Sequence, residues 1–188
     1  MLTRYDVYIS HSTQKNNVGV GKYGTEQDQM TRLAARTIYW LTTQKRFRCR
    51  TNKKGWTLDQ TAKASNAFGS DLFIDNHTDA GPSKAQGTTV FYNGLKAKGR
   101  GYKFANILYK AIAPLSPGKD RGVKPDTSLY DSGLYIIQNV NCPSCLVEHI
   151  FHSNAAEVKD FLLTFDDYAK AEAKAVCKYF GVKWVDEK

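Results

Sequence analysis

The sequence predicts an α/β fold, one sheet covered by helices. Short β-branched and aromatic runs alternate with longer stretches of helical apolar spacing along the whole chain. Glycine, proline and asparagine punctuate the boundaries between them. The 188 residues contain no internal repeat and no obvious linker, and a hydrophobic content of 41% is enough for one core, so the expectation is a single domain over 1–188.

The first strand is expected at Tyr5–Ile9, with Val7 and Ile9 pointing one way and His11 at its end. Residues 12–23 are polar and aperiodic, a surface loop. A helix then runs from near Thr25 to about Gln44, its apolar stripe being Met30, Leu33, Ala34, Thr37, Ile38 and Leu41. Glu26 lies one turn before Met30 and so falls on the buried stripe, where a carboxylate needs a cation or hydrogen bonds. Arg46–Arg50 is a short strand, basic on one side, followed by a turn at 52–55. Thr57 with Gln60 has the form of a capping box that opens a helix to about Phe68, and Gly69 caps its end.

Asp71–Ile74 reads as the end of a buried strand, and a polar cluster centred on His77 begins at its tip. A rigid element holds an imidazole better than a loop does. After a loop at 81–86, Thr88–Tyr92 is a strand and about Lys98 to Ala113 a helix, with Phe104, Ile107, Leu108 and Ala111 inward and Pro114 and Pro117 ending it. Residues 116–132 form a long loop, a frequent seat of function. Leu134–Ile137 and Cys145–Phe151 are two more strands. Asn154 with Glu157 starts a helix by the same capping logic, and a last helix spans about Phe165–Phe180, with Gly181 after it. Residues 182–188 are either a plain tail or a stub leading to an absent second domain.

Twenty-seven basic against eighteen acidic residues give a net charge of +9, which points to an anionic partner: nucleic acid, or a wall carrying phosphate polymers. A protein that is merely basic is the plain alternative. No run approaches the ~20 apolar residues of a membrane helix. The N-terminus has no basic region followed by an apolar stretch, so no secretory signal is expected. The four cysteines are Cys49, Cys142, Cys145 and Cys177; a chain this long does not need disulfides, and with no second CxxC the 142–145 pair reads as a coincidence of spacing.

Three candidate ligands stand out: His11, Glu26 and His77. Two histidines and one carboxylate, with a fourth position for water, make a catalytic zinc set. Glu148 lies inside the apolar strand, an expensive place for an ionisable group without a task, and suits a general base. Each has a duller reading: a loop histidine, an acid favoured by a helix N-terminus, a strand-end histidine, a carboxylate paired with arginine. His149 and His152 lie nearby and could ligate a metal in another arrangement, but strand geometry turns His149 away from Glu148, which leaves it out. No compact HExxH motif exists.

The motifs together resemble the zinc-dependent N-acetylmuramoyl-L-alanine amidases of the Amidase_3 family, found in bacterial wall-remodelling enzymes and phage endolysins. A zinc-binding histidine ends that family's first strand, as His11 does in Val7-Tyr-Ile-Ser-His11. Its zinc-binding glutamate, at the start of the next helix, corresponds to Tyr23-Gly-Thr-Glu26, and its second histidine to Ile74-Asp-Asn-His77-Thr-Asp-Ala80. An Arg-Gly-Val-Lys segment corresponds to Arg121–Lys124. The catalytic glutamate's pattern is matched by Leu146-Val-Glu148-His-Ile-Phe-His-Ser-Asn154. Three places depart from the family: Ser10-His11-Ser12 replaces a Pro-Gly-His-Gly turn, Asp79 replaces an asparagine, and Asp75 precedes the second histidine.

The resemblance implies one mixed sheet of about six strands with helices on both faces. It implies zinc, and hydrolysis of the amide between N-acetylmuramic acid and L-alanine of the stem peptide. Glu148 is then the catalytic base, and Arg121, Asp79 and Asn154 candidate substrate contacts, with Arg121 facing stem-peptide carboxylates. The partner is peptidoglycan, with anionic wall polymers as a second, and neither membrane insertion nor nucleic acid is expected. Without a signal, the preferred version is an endolysin held in the host cytoplasm until released to the wall. A bacterial sporulation or autolytic amidase, a zinc peptidase, and a non-catalytic basic binding module are the rivals.

Overall fold

In the computed structural model, which describes residues 3–96, 98–118 and 121–186, six strands form one mixed sheet. They are β1 (Tyr5–His11), β2 (Phe47–Arg50), β3 (Leu72–Asp79), β4 (Thr89–Tyr92), β5 (Gly122–Pro125) and β6 (Ser144–Phe151), in the spatial order β2-β1-β3-β6-β4-β5. All neighbours are parallel except β4 and β6. The helices are α1 (Glu26–Thr43), α2 (Leu58–Phe68), α3 (Arg100–Ile112), α4 (Tyr135–Gln138), α5 (Ala155–Leu163) and α6 (Phe165–Phe180).

Side chains alternate across each strand, so each face of the sheet collects its own core. Val7, Ile9, Leu72, Ile74, Val90, Cys145 and Val147 pack with residues of α1, α3 and α6 on one face. Tyr8, Phe73, Phe91 and Leu146 pack with Ala62 and Phe68 of α2 and Ile136 and Ile137 of α4 on the other. The inner strands β3 and β6 are therefore covered on both faces, which is why nearly every residue in them is buried, polar ones included. His77 and Glu148 sit opposite each other on these two strands.

Local chemistry sets the boundaries. Thr57 and Gln60 form both arms of the capping box: the Gln60 amide donates to Thr57 Oγ1 at 3.2 Å, and the Thr57 amide donates to Gln60 Oε1 at 2.9 Å. Gly69 ends α2 at φ +70°, a conformation that favours glycine. Asn154 accepts from the amides of Ala156 and Glu157 as expected. The Glu157 carboxylate, however, does not turn back to the cap. It takes the Gly87 amide at 2.8 Å, the Phe151 amide at 2.7 Å and the Ser116 hydroxyl at 2.6 Å.

Three elements differ from expectation. Leu134–Ile137, expected as a strand, lies in and around the short helix α4; four apolar residues have too little length for periodicity to decide. Residues 122–125, expected within a loop, form β5, an edge strand that tolerates Pro125 at its end. Strand β3 continues through His77 to Asp79, so the histidine is inside the strand rather than beyond its tip. Within the 182–188 tail, Val185 is tied to Gln44 at the end of α1 by two hydrogen bonds, of 2.9 and 3.1 Å. Glu187 and Lys188 of that tail, Lys119 and Asp120 of the long loop, Ala97, and Met1 and Leu2 of the N-terminus lie outside the described residues. Among the described residues all four cysteines are free, and no helix is long and apolar enough to cross a membrane.

Candidate active site

Strand period places Asp75 and His77 on the same face of β3, two residues apart. His77 Nε2 lies 3.1 Å from Asp75 Oδ2, and Nδ1 lies 2.9 Å from Glu26 Oε1. Glu26 arrives from the first turn of α1, where Thr25 caps the helix by accepting from the Asp28 amide at 3.2 Å. The loop before it is anchored: the Glu26 amide donates to the Asn17 carbonyl at 2.8 Å, and Asn17 Nδ2 donates to Glu26 Oε2 at 2.8 Å. Glu26, Asp75 and His77 are all buried.

An imidazole with a carboxylate at each nitrogen is favoured in its protonated form, in which both nitrogens donate. Burial by itself would lower the His77 pKa, but the charge and hydrogen bond of Asp75, then Glu26 and Glu148, drive it well above the ordinary histidine value. Burial would raise Glu26, yet His77, Asn17 and Ser12 hold it below the usual carboxylate range.

Glu148 is the register partner of His77 on β6. Its Oε2 is buried without a hydrogen-bond partner. Burial pushes its pKa up to about 8; His77 pulls it down, and Glu26, Asp79 and Asp75 push it up further. An orphan acid of this kind beside a charged cluster marks a functional-site candidate.

His11 is placed differently. It ends β1 in register with Asn76, but its ring nitrogens face the carbonyls of Ser12, at 3.0 Å, and Asn52, at 3.1 Å. The Asn52 amide also brackets the His11 backbone, accepting from its N–H and donating to its carbonyl. The structure thus brings Glu26, His77 and Glu148 together and leaves the His11 ring turned to backbone oxygens.

The expected substrate contacts lie along the rim. The Arg121 guanidinium stacks over Phe151, 4.3 Å from its centroid, and Nε donates to the Gln86 carbonyl at 2.6 Å. Asp79 accepts from the Ala80 amide at 2.8 Å; burial raises its pKa against the opposing influence of that amide, Arg121 and His152. Asn154 is occupied by the α5 cap and by donating to the Ala85 carbonyl at 2.9 Å. Two hydroxyls not singled out from sequence also border the cluster, beside the His152 noted there: Tyr23 shares a 2.6 Å hydrogen bond with Thr78, which lies 3.0 Å from His152 Nδ1. Their only sequence signal is closeness in the chain to candidate residues, Thr78 to His77 and Tyr23 to Glu26.

Among the described residues, no three His, Cys, Asp or Glu side chains form a ready-made metal cage. The donor chemistry nevertheless suits a borderline cation such as zinc: an imidazole with buried carboxylates, whose ion pairs among the described residues are to His77 alone.

Residues 7–179 match the family model described as N-acetylmuramoyl-L-alanine amidase. No curated protein is a significant match to the sequence. Among solved structures, the chain is similar to the catalytic domain of CwlV, an N-acetylmuramoyl-L-alanine amidase from Bacillus (Paenibacillus) polymyxa var. colistinus. The TM-score is 0.82 at 21% identity, covering 95% of this chain and 99% of that one. An N-acetylmuramoyl-L-alanine amidase from Clostridium difficile 630 gives 0.83 at 19% identity, covering 96% and 99%. The catalytic domain of the CD27L endolysin, which targets Clostridia difficile, gives 0.75 at 17%, covering 93% and 98%. The chain belongs to the N-acetylmuramoyl-L-alanine amidase family and is a peptidoglycan amidase.

Proposed function

We propose that this amidase is zinc-dependent, with Glu26 and His77 holding the metal and Glu148 acting as the general base. One observation carries the reading: the His77 ring is gripped between Asp75 and Glu26, opposite an orphan carboxyl on the neighbouring strand. Asp75 at Nε2 is the second partner that orients ligand histidines and fixes their tautomer, leaving Nδ1 for the cation beside Glu26. His11 is the third ligand in this reading. One of its ring nitrogens would serve the metal, and the other would keep a backbone carbonyl as its partner.

Zinc, when bound, supplies Lewis acidity that polarises the scissile carbonyl and makes water a better acid. The chain's own residues do the rest. Glu148 Oε2 takes the proton of the attacking water and delivers it to the muramoyl amide nitrogen as the C–N bond breaks, so the peptide leaves as an amine. Arg121, seated on Phe151, holds stem-peptide carboxylates, with Asp79 beside it on the rim. The proposed biological role is an endolysin's, supported by a net charge of +9 suited to an anionic wall.

Metal analysis tests the ligand set. Roughly one zinc per chain is expected, with Glu26→Ala and His77→Ala each losing most of it while remaining folded. A His77→Ala protein that binds zinc as tightly as the wild type would overturn the assignment. Because His77 must give up a proton to bind, affinity should rise with pH.

A further inference from the structure

On the far side of the sheet from His77 and Glu148 lies a second polar group, sealed in the apolar core. Asn76 and His149 are the chain neighbours of those two residues, and alternation turns their side chains to the opposite face. His149 Nε2 is 3.0 Å from Asn76 Oδ1 and 3.3 Å from Glu172 Oε1 of α6. Asn76 Nδ2 donates to Glu172 Oε2 at 3.3 Å, and Thr37 of α1 donates to the same oxygen at 2.6 Å. Asn76, His149, Glu172 and Thr37 are each fully buried. His149 Nδ1 and Glu172 Oε1 have no hydrogen-bond partner. A cluster this dry is costly, and apolar side chains would fill the space at no such cost.

Its position supplies a use. The β3–β6 register shifts between His77 and Asp79, next to the His77–Glu148 pair. A slip of one residue between two strands sends every side chain to the other face, so the alignment beside this irregularity has to be held. Hydrophobic residues line both faces here, so apolar burial alone opposes a slip weakly. The polar cluster opposes it strongly, because Asn76, His149 and Glu172 meet in one register only.

We propose that Glu172, His149, Asn76 and Thr37 are positioning residues that lock the β3–β6 register, and through it set Glu148 against His77. The inference rests on the proposed roles of those two residues, and its test reads the register separately from activity. In the double variant His149→Leu/Glu172→Leu, thermal stability should fall modestly, because the buried Asn76 amide and Thr37 hydroxyl lose their partners. Its kcat should fall on the order of 100-fold, the cost of a misplaced catalytic group, with KM nearly unchanged. Amide hydrogen exchange should quicken around 76–79 and 147–151 and stay as in the wild type in β1 and β2. Thr37→Val, which removes a single hydroxyl, should shift exchange and kcat the same way but less, and it carries the test should the double variant not fold. Wild-type kcat, or wild-type exchange at those amides, in a folded variant would overturn the proposal. If the wild type proves not to need zinc, the reading of the site fails while the exchange data still judge the register lock.

Discussion

At Glu148 the physics of one side chain decides what the site can do. Its carboxyl has a pKa of about 8 against an ordinary 4.5, raised first by burial. In metal-free protein the folded state therefore holds this proton more tightly than the unfolded chain. That stabilisation is complete below about pH 4.5 and is lost as pH rises through about 8. The unfolding temperature of chelator-treated protein should thus fall by several degrees over that window, and Glu148→Gln should flatten the fall. Equal slopes in the two proteins would refute the assignment. Glu26 and Glu148 were legible from sequence because each is an acid in an apolar pattern, and His77 because it follows an apolar run. The His11 ring direction was not legible, since it depends on Asn52, 41 residues away. Asp75 stood out only as a departure from the family pattern; its hold on His77 is a fact of strand period.

Two helix caps of the same chemistry should behave differently because only one of them adjoins a site residue. Thr57→Ala removes the α2 capping box and should cost about 1 kcal/mol of stability, read by denaturant unfolding, without changing kcat. Thr25→Ala removes the α1 cap at a similar cost, but Glu26 is the next residue, so zinc affinity should fall as well. Equal zinc affinity in both variants would separate the α1 cap from the site. Helical and capping signals placed the long helices within a few residues. They failed for α4 and β5, where four residues carry too little pattern and tertiary packing decides: Ile136 and Ile137 fill the second core, and residues 122–125 add to the free edge of β4. The cap at α5 was half legible. Asn154 gives the start, while Glu157 is drawn away to bind three loop and strand groups together.

For the whole molecule, alternating strands and helices announced one sheet covered by helices, the family resemblance added that it is mixed and covered on both faces, and this arrangement places His77 and Glu148 on the two inner strands. Net charge belongs to this scale too. If the +9 serves adhesion to an anionic wall, binding to intact walls should weaken several-fold as ionic strength rises from about 0.05 to 0.5 M, because screening shortens the reach of each charge. Flat binding over that range would remove electrostatics from the account. Chemistry at the site should be far less sensitive, since buried charges are screened little.

The central claim is that Glu148 moves the proton beside a zinc held by Glu26 and His77. It is tested most directly by mass spectrometry of peptidoglycan digested with zinc-loaded wild type and zinc-loaded Glu148→Gln protein side by side. The wild type should release stem peptides beginning at L-alanine, and the variant, carrying the same zinc content, should release them at least ~100-fold more slowly. Release of those peptides by the zinc-loaded variant at the wild-type rate would contradict the account.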